Sequence, residues 1–491
     1  MADKTKFLDY EGLTRPRGGR LVDHEEIEGS FSPRASPLAA NRLASEDAEV
    51  KKEHLRESIL LAKPASSRVA EEIAPAAELP LLSVLRRGHA LSFAGVFLFT
   101  LVLYFRPYEL SPNLAWLSSS AFWIALLTIA TFLPTQLGLE GNLTTRTREV
   151  NLLLLLTLAA LISIPFALSP GTAWTSFTEF LKVVIIFVVM VNVVRTEKRL
   201  KALLLAALGA SCFLSLAALN DYRLGHLGLE GTRILGTIGG MFENPNDLAL
   251  HLVTMIPLAT ALLLATRSIF IKLLYAVCAT LIVLGIVSTF SRGGVLGLAV
   301  TGFVLAFKLV PKLRILVAFL FLSLLFGAIA VAPNAFRQRL FTTQDASAVS
   351  RTDDLKRSIF LAVRHPVFGL GMSNYVHYSN QAKATHNAYT QVAAEIGIAG
   401  LAFYVLFLTA PLRPLRRIER ETLHEKKRQR FYYLSIGVQA AIIGYMVCSF
   451  FASVAYLWYV YYLVAYAVCL RRIYQTTQRQ SANNAVTISR K

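Results

Sequence analysis

The sequence predicts an all-α, polytopic integral membrane protein of about twelve transmembrane helices, with a large outer loop between helices 9 and 10. Three observations carry that expectation. The 491 residues are 54% hydrophobic and only 16% charged, with a mean hydropathy of +0.50, whereas soluble domains run to about 45–50% apolar and about 25% charged. After Arg86-Arg87 the apolar runs come in series, each near the ~20 residues that cross ~30 Å of hydrocarbon. The basic residues between the runs fall mainly in alternate loops.

Residues 1–85 come first and are polar, rich in Ala, Ser, Pro, Arg and Glu. Too little apolar surface is present to offset ordering entropy, so a largely disordered tail is expected, with a short helix around Glu46–Ala62. The spans are expected at 90–106, 114–134, 150–168, 177–194, 200–219, 248–266, 270–290, 293–310, 313–332, 396–412, 432–450 and 453–470. The run from Phe431 to Leu470 has 40 residues and must reverse once, near Ser449–Ala455. The chain therefore divides into the tail of 1–85, a transmembrane domain of 86–472 with its outer loop of 333–385, and a short tail of 473–491.

A net charge of +19 would suggest nucleic acid in a soluble chain, but its placement gives it another meaning. Residues 1–89 hold 14 of the 50 Lys+Arg and 15 of the 31 Asp+Glu. With that segment cytoplasmic, the loops on its side (137–149, 195–201, 267–272, 308–314, 413–431 and the tail after Leu470) hold 24 Lys+Arg against 6 acids, and the opposite loops 11 against 9. That is the positive-inside rule for an even number of helices, with both termini cytoplasmic. Segment 413–431 reads as a topology determinant facing anionic headgroups. No nucleic-acid partner is expected. Cys212, Cys278, Cys448 and Cys469 lie within apolar runs without the close pairing a zinc site needs, so they read as core residues, and no metal or cofactor is implied. The first apolar run begins near Ala90, so no secretory signal peptide is expected.

Few ionisable groups occupy the span centres. Lys182 and His251 are the main exceptions, each read as a snorkelling or satisfied residue rather than part of a proton relay. The outer loops are richer. Gly-rich residues 221–252 open into the sixth span and carry Arg233, Glu243, Asn244, Asn246 and Asp247; Arg223 shares that loop and could substitute for Arg233. Between spans seven and eight, STFSRGG sets Arg292 and two glycines in a tight outer turn. Its planar fork suits phosphate oxygens, the alternative being a topological anchor on a side where basic residues are disfavoured. Further on, Leu355, Ile359, Phe360 and Val363 stand at helical spacing, an amphipathic helix expected to lie flat on the outer membrane boundary. His386-Asn387 then opens the helix of the tenth span. A lone His there is commonly a capping residue; with two outer arginines it becomes a candidate base beside a metal-free diphosphate site.

His386-Asn387, nine residues, Gly397, two residues and Gly400, preceded by Gly369-Leu370-Gly371-Met372, form a pattern that resembles the O-antigen ligase and O-antigen polymerase superfamily. So do Ser291-Arg292-Gly293 and Phe242-Glu243-Asn244-Pro245-Asn246. The likeness covers roughly residues 90–470 and is most specific in 230–408. It implies a metal-independent, inverting glycosyltransferase of the bacterial inner membrane, its active site facing the periplasm, in O-antigen or exopolysaccharide assembly. Undecaprenyl-diphosphate-linked glycan would be the donor and a glycan or lipid A-core the acceptor, with the lipid bilayer and other polysaccharide-assembly membrane proteins as partners. The implied catalytic residues are His386, Arg292 and Arg233. Asn387, Tyr389, Asn244, Asn246, Arg364 and Glu395 are expected to contact substrate, although Glu395 reads equally as a partner for a nearby Arg. Ligase and polymerase stay open, the long tail leaning towards polymerase. A transporter of lipid-linked oligosaccharide or another small substrate is the rival reading, and it predicts broken, charged helices at the midplane. A scaffolding subunit has only the tail in its support.

Overall fold

The computed structural model describes residues 80–110, 112–226, 234, 242–309, 315, 319, 323, 346–379 and 384–489. The helix expected at Glu46–Ala62, most of the span at 313–332, and Arg233 lie outside the described residues. What is described is mainly helical, and ten of its helices are long and apolar enough to cross a membrane. The protein is thus an all-helical, multi-pass membrane protein.

The helices are α1 (Pro80–Phe105), α2 (Ser120–Glu140), α3 (Arg148–Ser163), α4 (Pro170–Val193), α5 (Glu197–Leu224), α6 (Pro245–Ala265), α7 (Ile269–Ser288), α8 (Arg292–Leu309), α9 (Ala346–Arg364), α10 (Ala388–Thr409), α11 (Leu412–Thr422), α12 (Gln429–Cys448) and α13 (Trp458–Ser489). Short polar residues set several of their starts. Thr147 accepts the Val150 N–H at 3.4 Å, and Thr196 that of Arg199 at 3.3 Å. Glu149 and Glu197 follow in the first turns, where negative charge meets the positive end of the helix dipole. α2 and α5 stop on Gly141 and Gly225 in the left-handed conformation that lacks a Cβ penalty.

Burial sorts the helices into centre and rim. In the span of 245–265, 78% of the most apolar window is buried, against 11% in 113–140 and 22% in 269–288. Trp123, Leu127, Phe270 and Leu273 accordingly point outward from α2 and α7. α6 and α12 form the centre and approach closely: a Cβ on Gly437 would stand 2.6 Å from Ala261 Cβ and 2.7 Å from the Pro257 carbonyl oxygen. Small residues at such crossings allow this contact. The chain reverses over Ser449–Leu457 before α13, which buries Tyr459, Tyr461, Tyr462 and Tyr466. α13 is not among the ten apolar helices, because tyrosine supplies much of its packing surface.

The two ends of the bundle differ. Turns at 141–147, 194–196, 266–268 and 423–428 share a basic end with residues 471–472, while those at 164–169, 242–244, 289–291, 365–379, 384–387 and 449–457 share the opposite end. At the basic end Arg471 grips Glu149 with both guanidinium nitrogens, at 2.8 and 2.9 Å, and Glu149 is 1% exposed. Removing one partner leaves a buried charge uncompensated. Arg471→Ala is expected to lower unfolding free energy by about 3–5 kcal/mol, seen as a drop in thermal midpoint in detergent. Adding Glu149→Gln to Arg471→Met should recover most of that loss.

Two intramembrane residues singled out by the sequence are partnered. Lys182 meets Glu179 at 2.5 Å on an exposed face of α4. His251 Nε2 lies 3.0 Å from Ser211 Oγ, its ring packed among Tyr104, Phe242 and Tyr459. On α9 the expected apolar stripe faces outward, with Ile359, Phe360 and Val363 exposed. The face turned into the protein is Asp354, Ser358, Leu361 and Ala362, with Ser358 Oγ donating to Thr390 Oγ1 of α10 at 2.9 Å.

Candidate functional site

Of the helices that begin at the end opposite the basic loops, three start on the sequence motifs. Asn244 caps α6, its Oδ1 accepting the Asn246 backbone N–H at 2.9 Å and side-chain Nδ2–H at 3.1 Å. Ser291 begins α8: its Oγ accepts the Gly294 N–H at 3.2 Å and donates to Asn246 Oδ1 at 3.0 Å, so the starts of α6 and α8 are tied together. Asn387 caps α10, accepting from Tyr389 and Thr390 N–H at 2.9 and 3.0 Å. The N-terminal ends of helices favour anions through their dipoles and free N–H groups. Asn244, Asn246 and Asn387 thus use their amide oxygens to shape these starts.

The reversal between α12 and α13 joins the motifs. Cys448 Sγ donates to the Gly293 carbonyl at 3.5 Å, and Gly293 lies so close that its Cβ would stand 3.1 Å from Phe451 Cβ. Ser449 Oγ donates to the Tyr389 hydroxyl at 3.3 Å, which itself donates to the Met446 carbonyl at 2.8 Å. Ser453 Oγ accepts the His386 N–H at 2.7 Å and sits 3.1 Å from Thr385 Oγ1. The Arg292 turn and the His386 turn are therefore seated on one short segment, 448–453.

His386 adopts φ 54°, a left-handed conformation uncommon outside glycine. Among the described residues the other non-glycine positions of positive φ are Arg106, Phe290 and Ser373, all in turns at this same end. Such conformations persist only where the surroundings over-determine them, and they gather at functional sites.

The glycines of the motif have a common physical reason. Helix α10 breaks at Gly397 (φ 84°, ψ 179°), and the segment Pro366–Gly371 lies across the break. Leu370 N–H donates to Ala394 O at 2.9 Å, Gly371 N–H to Glu395 O at 2.9 Å, and Ile398 N–H to Pro366 O at 2.8 Å. A Cβ on Gly397 would run into the Val367 carbonyl oxygen, and one on Gly369 into the Glu395 backbone. The break also fixes where α10 resumes below the His386-Asn387 start. Gly397→Ala is expected to cost at least about 1–3 kcal/mol from backbone strain alone. Gly400→Ala, which meets the side chains of Ile396 and Val392 on its own helix rather than backbone across the break, should be milder; comparing the two thermal midpoints checks this.

Asn387, Gln391 and Glu395 follow one another at helical spacing down one face of α10, each buried. Asn387 Nδ2, Gln391 Oε1 and Glu395 Oε2 make no hydrogen bond among the described residues. Among the described residues, the groups around the Glu395 carboxyl are Tyr456, Gln391 and the backbone of Ser373 and Tyr375. Tyr375 donates to the Asp354 carbonyl at 3.0 Å. Its burial, and then the Asp354 carboxylate, push its hydroxyl up to about 12, so it stays a neutral donor.

Arg364 ends α9 and is exposed; Arg233 lies outside the described residues. Sequence reasoning overlooked Arg106. It closes α1 at the motif end, pairs with Glu109 at 2.9 Å, and shares with Asp247 the electrostatic surroundings of Tyr459. The signal that could have found it is the one used for Arg292, a basic residue in a loop of the disfavoured side. Among the described residues no group of three or more His, Cys, Asp or Glu side chains is placed to hold a metal ion.

A polytopic helical bundle with a His-Asn helix start and an Arg turn on a common seat is the class that fold and site define. Residues 252–405 match the model of the family described as O-antigen ligase, a match that supports a likeness to the O-antigen ligase/polymerase superfamily. Arg292, Arg364, His386, Asn387, Tyr389 and Glu395 lie inside the matched stretch, while Asn244 and Asn246 lie just before it. The match supports glycan transfer of the ligase or polymerase type in general. No curated protein matches the chain.

Proposed function

We propose that the protein transfers a glycan from undecaprenyl diphosphate to an acceptor sugar hydroxyl at the periplasmic face of the bacterial inner membrane, in O-antigen or exopolysaccharide assembly. The observation that supports this reading is the shared seat of the His386 and Arg292 turns on residues 448–453, beside helix starts suited to an anionic leaving group. The acceptor oxygen bonds to the anomeric carbon as the carbon–diphosphate bond breaks. The hydroxyl proton passes to the His386 imidazole, and the electron pair leaves with the diphosphate. In-line attack inverts the anomeric configuration. Arg292 and Arg233 hold the charge that develops on the bridging oxygen, without a metal ion.

The other residues support those three. Asn246 and Asn244 hold the Arg292 turn through Ser291. Asn387 keeps its Nδ2–H for the acceptor sugar, and Tyr389 braces the His turn against Ser449. Glu395 and Gln391 continue the polar face below. Arg364, at the end of α9, contacts lipid headgroups or glycan while the apolar stripe of α9 rests on the outer membrane boundary. The residues at 313–332 and the start of α13 bring the ten apolar helices to twelve spans, with both termini cytoplasmic.

The acceptor distinguishes polymerase from ligase, and polymerase is the reading taken here because of the long N-terminal segment. Deleting the gene should leave single repeat units on the lipid carrier. Long lipid-linked chains beside an unmodified lipid A-core would make it a ligase.

A further inference from the structure

A cavity at the basic end is not part of the site above. It has a volume of about 890 Å³ and lies among the starts of α5, α7 and α12, the end of α6, and α13. Its rim carries Lys198, Lys201, Arg267, Lys272, Lys426 and Lys427, together with Arg430, which pairs with Glu197 at 3.1 Å. Its walls are apolar and buried: Leu204, Leu262, Tyr275, Phe431 and Ile473 are each 5% exposed or less.

Basic residues that serve only as topology labels need a loop, not a cavity with an apolar floor between helices. α7 adds a second feature, since beside the opening it turns Ile269, Phe270, Leu273 and Leu274 outward, each more than half exposed. A ligand that answers all of this has a phosphate for the rim and hydrocarbon for both the floor and the outer face of α7. We infer that this cavity is a binding site for an anionic glycerophospholipid, its phosphate held by the lysine rim and its acyl chains running along the cavity floor and down α7. A soluble phosphate would satisfy the rim and leave the apolar walls unused. Because α6 and α12 connect this end to the motif end, the bound lipid would brace the two central helices of the bundle.

The inference does not depend on the glycan-transfer reading, and its test does not use transfer activity. The full-length protein is purified, stripped of lipid in a neutral detergent, and offered phosphatidylglycerol, phosphatidylcholine or inorganic phosphate, with retained lipid measured by native mass spectrometry and stability by thermal midpoint. Phosphatidylglycerol should be retained and raise the midpoint, and neither of the others should. A Lys201→Ala, Lys272→Ala and Lys427→Ala triple variant should weaken that retention roughly 100-fold, about five-fold per lysine. Its midpoint without added lipid should match that of the stripped wild type, which separates lost binding from lost folding. If the triple variant folds poorly, a photoactivatable phosphatidylglycerol on the wild type reads the site directly, and it should label peptides spanning 267–275 or 426–434. Equal retention of phosphatidylcholine, stabilisation by inorganic phosphate to the same degree, undiminished retention by a folded triple variant, or labelling confined to other helices would each overturn the assignment.

Discussion

His386→Ala is expected to lower glycan transfer by about 10²–10⁴-fold, the range a positioned general base supplies. The side chain and the backbone at this position need separate tests, because His386 sits at φ 54° with its N–H on Ser453. Asparagine tolerates the left-handed conformation, so His386→Asn keeps the turn and removes the base. Both variants should lose activity to a similar degree with thermal midpoints near wild type. Activity retained in His386→Asn but lost in His386→Ala would give the residue a purely conformational role, and it would reassign the proton acceptor.

Arg292→Ala is expected to cost about 10²–10³-fold in transfer, as loss of one preorganised donor to a developing oxyanion does. Arg292 stands in the first turn of α8, directly after Ser291. Its guanidinium and the positive end of an eighteen-residue helix would therefore act on the same diphosphate. Arg292→Lys retains the charge but not the planar fork, so it should fall between wild type and Ala. Since the charge on the bridging oxygen grows as the bond breaks, the loss should appear mainly in kcat. A loss confined to KM would mean that Arg292 only binds the donor. The same comparison at Arg106 checks whether this third arginine of the motif end belongs to the diphosphate site.

Much of the architecture was legible because span length is a one-dimensional property. The runs at 114–134, 248–266 and 270–290 became α2, α6 and α7 with ends shifted by a few residues. Hydropathy was a weaker guide at α13, where Tyr459, Tyr461, Tyr462 and Tyr466 do the packing that Leu and Ile do elsewhere. It marked the outward apolar stripe of α9 but not the opposite face, where Ser358, Leu361 and Ala362 are buried and Ser358 bonds Thr390 of α10. At the site, the spacing from His386 to Gly397 was visible but its cause was not: Gly397 faces Val367, thirty residues earlier, across a backbone contact that no local pattern encodes. The role of Ser453 in holding His386 was hidden for the same reason, with 67 residues between donor and acceptor. Glu395 was noticed for its charge, yet the neighbours Tyr456 and Ser373 are set by tertiary packing alone.

Transfer by the purified protein in liposomes tests the central claim most directly, using undecaprenyl-diphosphate-linked glycan, an acceptor glycan and a chelator of divalent metals. The expected result is undecaprenyl diphosphate released in step with an elongated glycan of inverted anomeric configuration, and product from His386→Asn or Arg292→Ala lower by about 10²-fold or more. Product formed equally by those variants, or only after metal is restored, would contradict it.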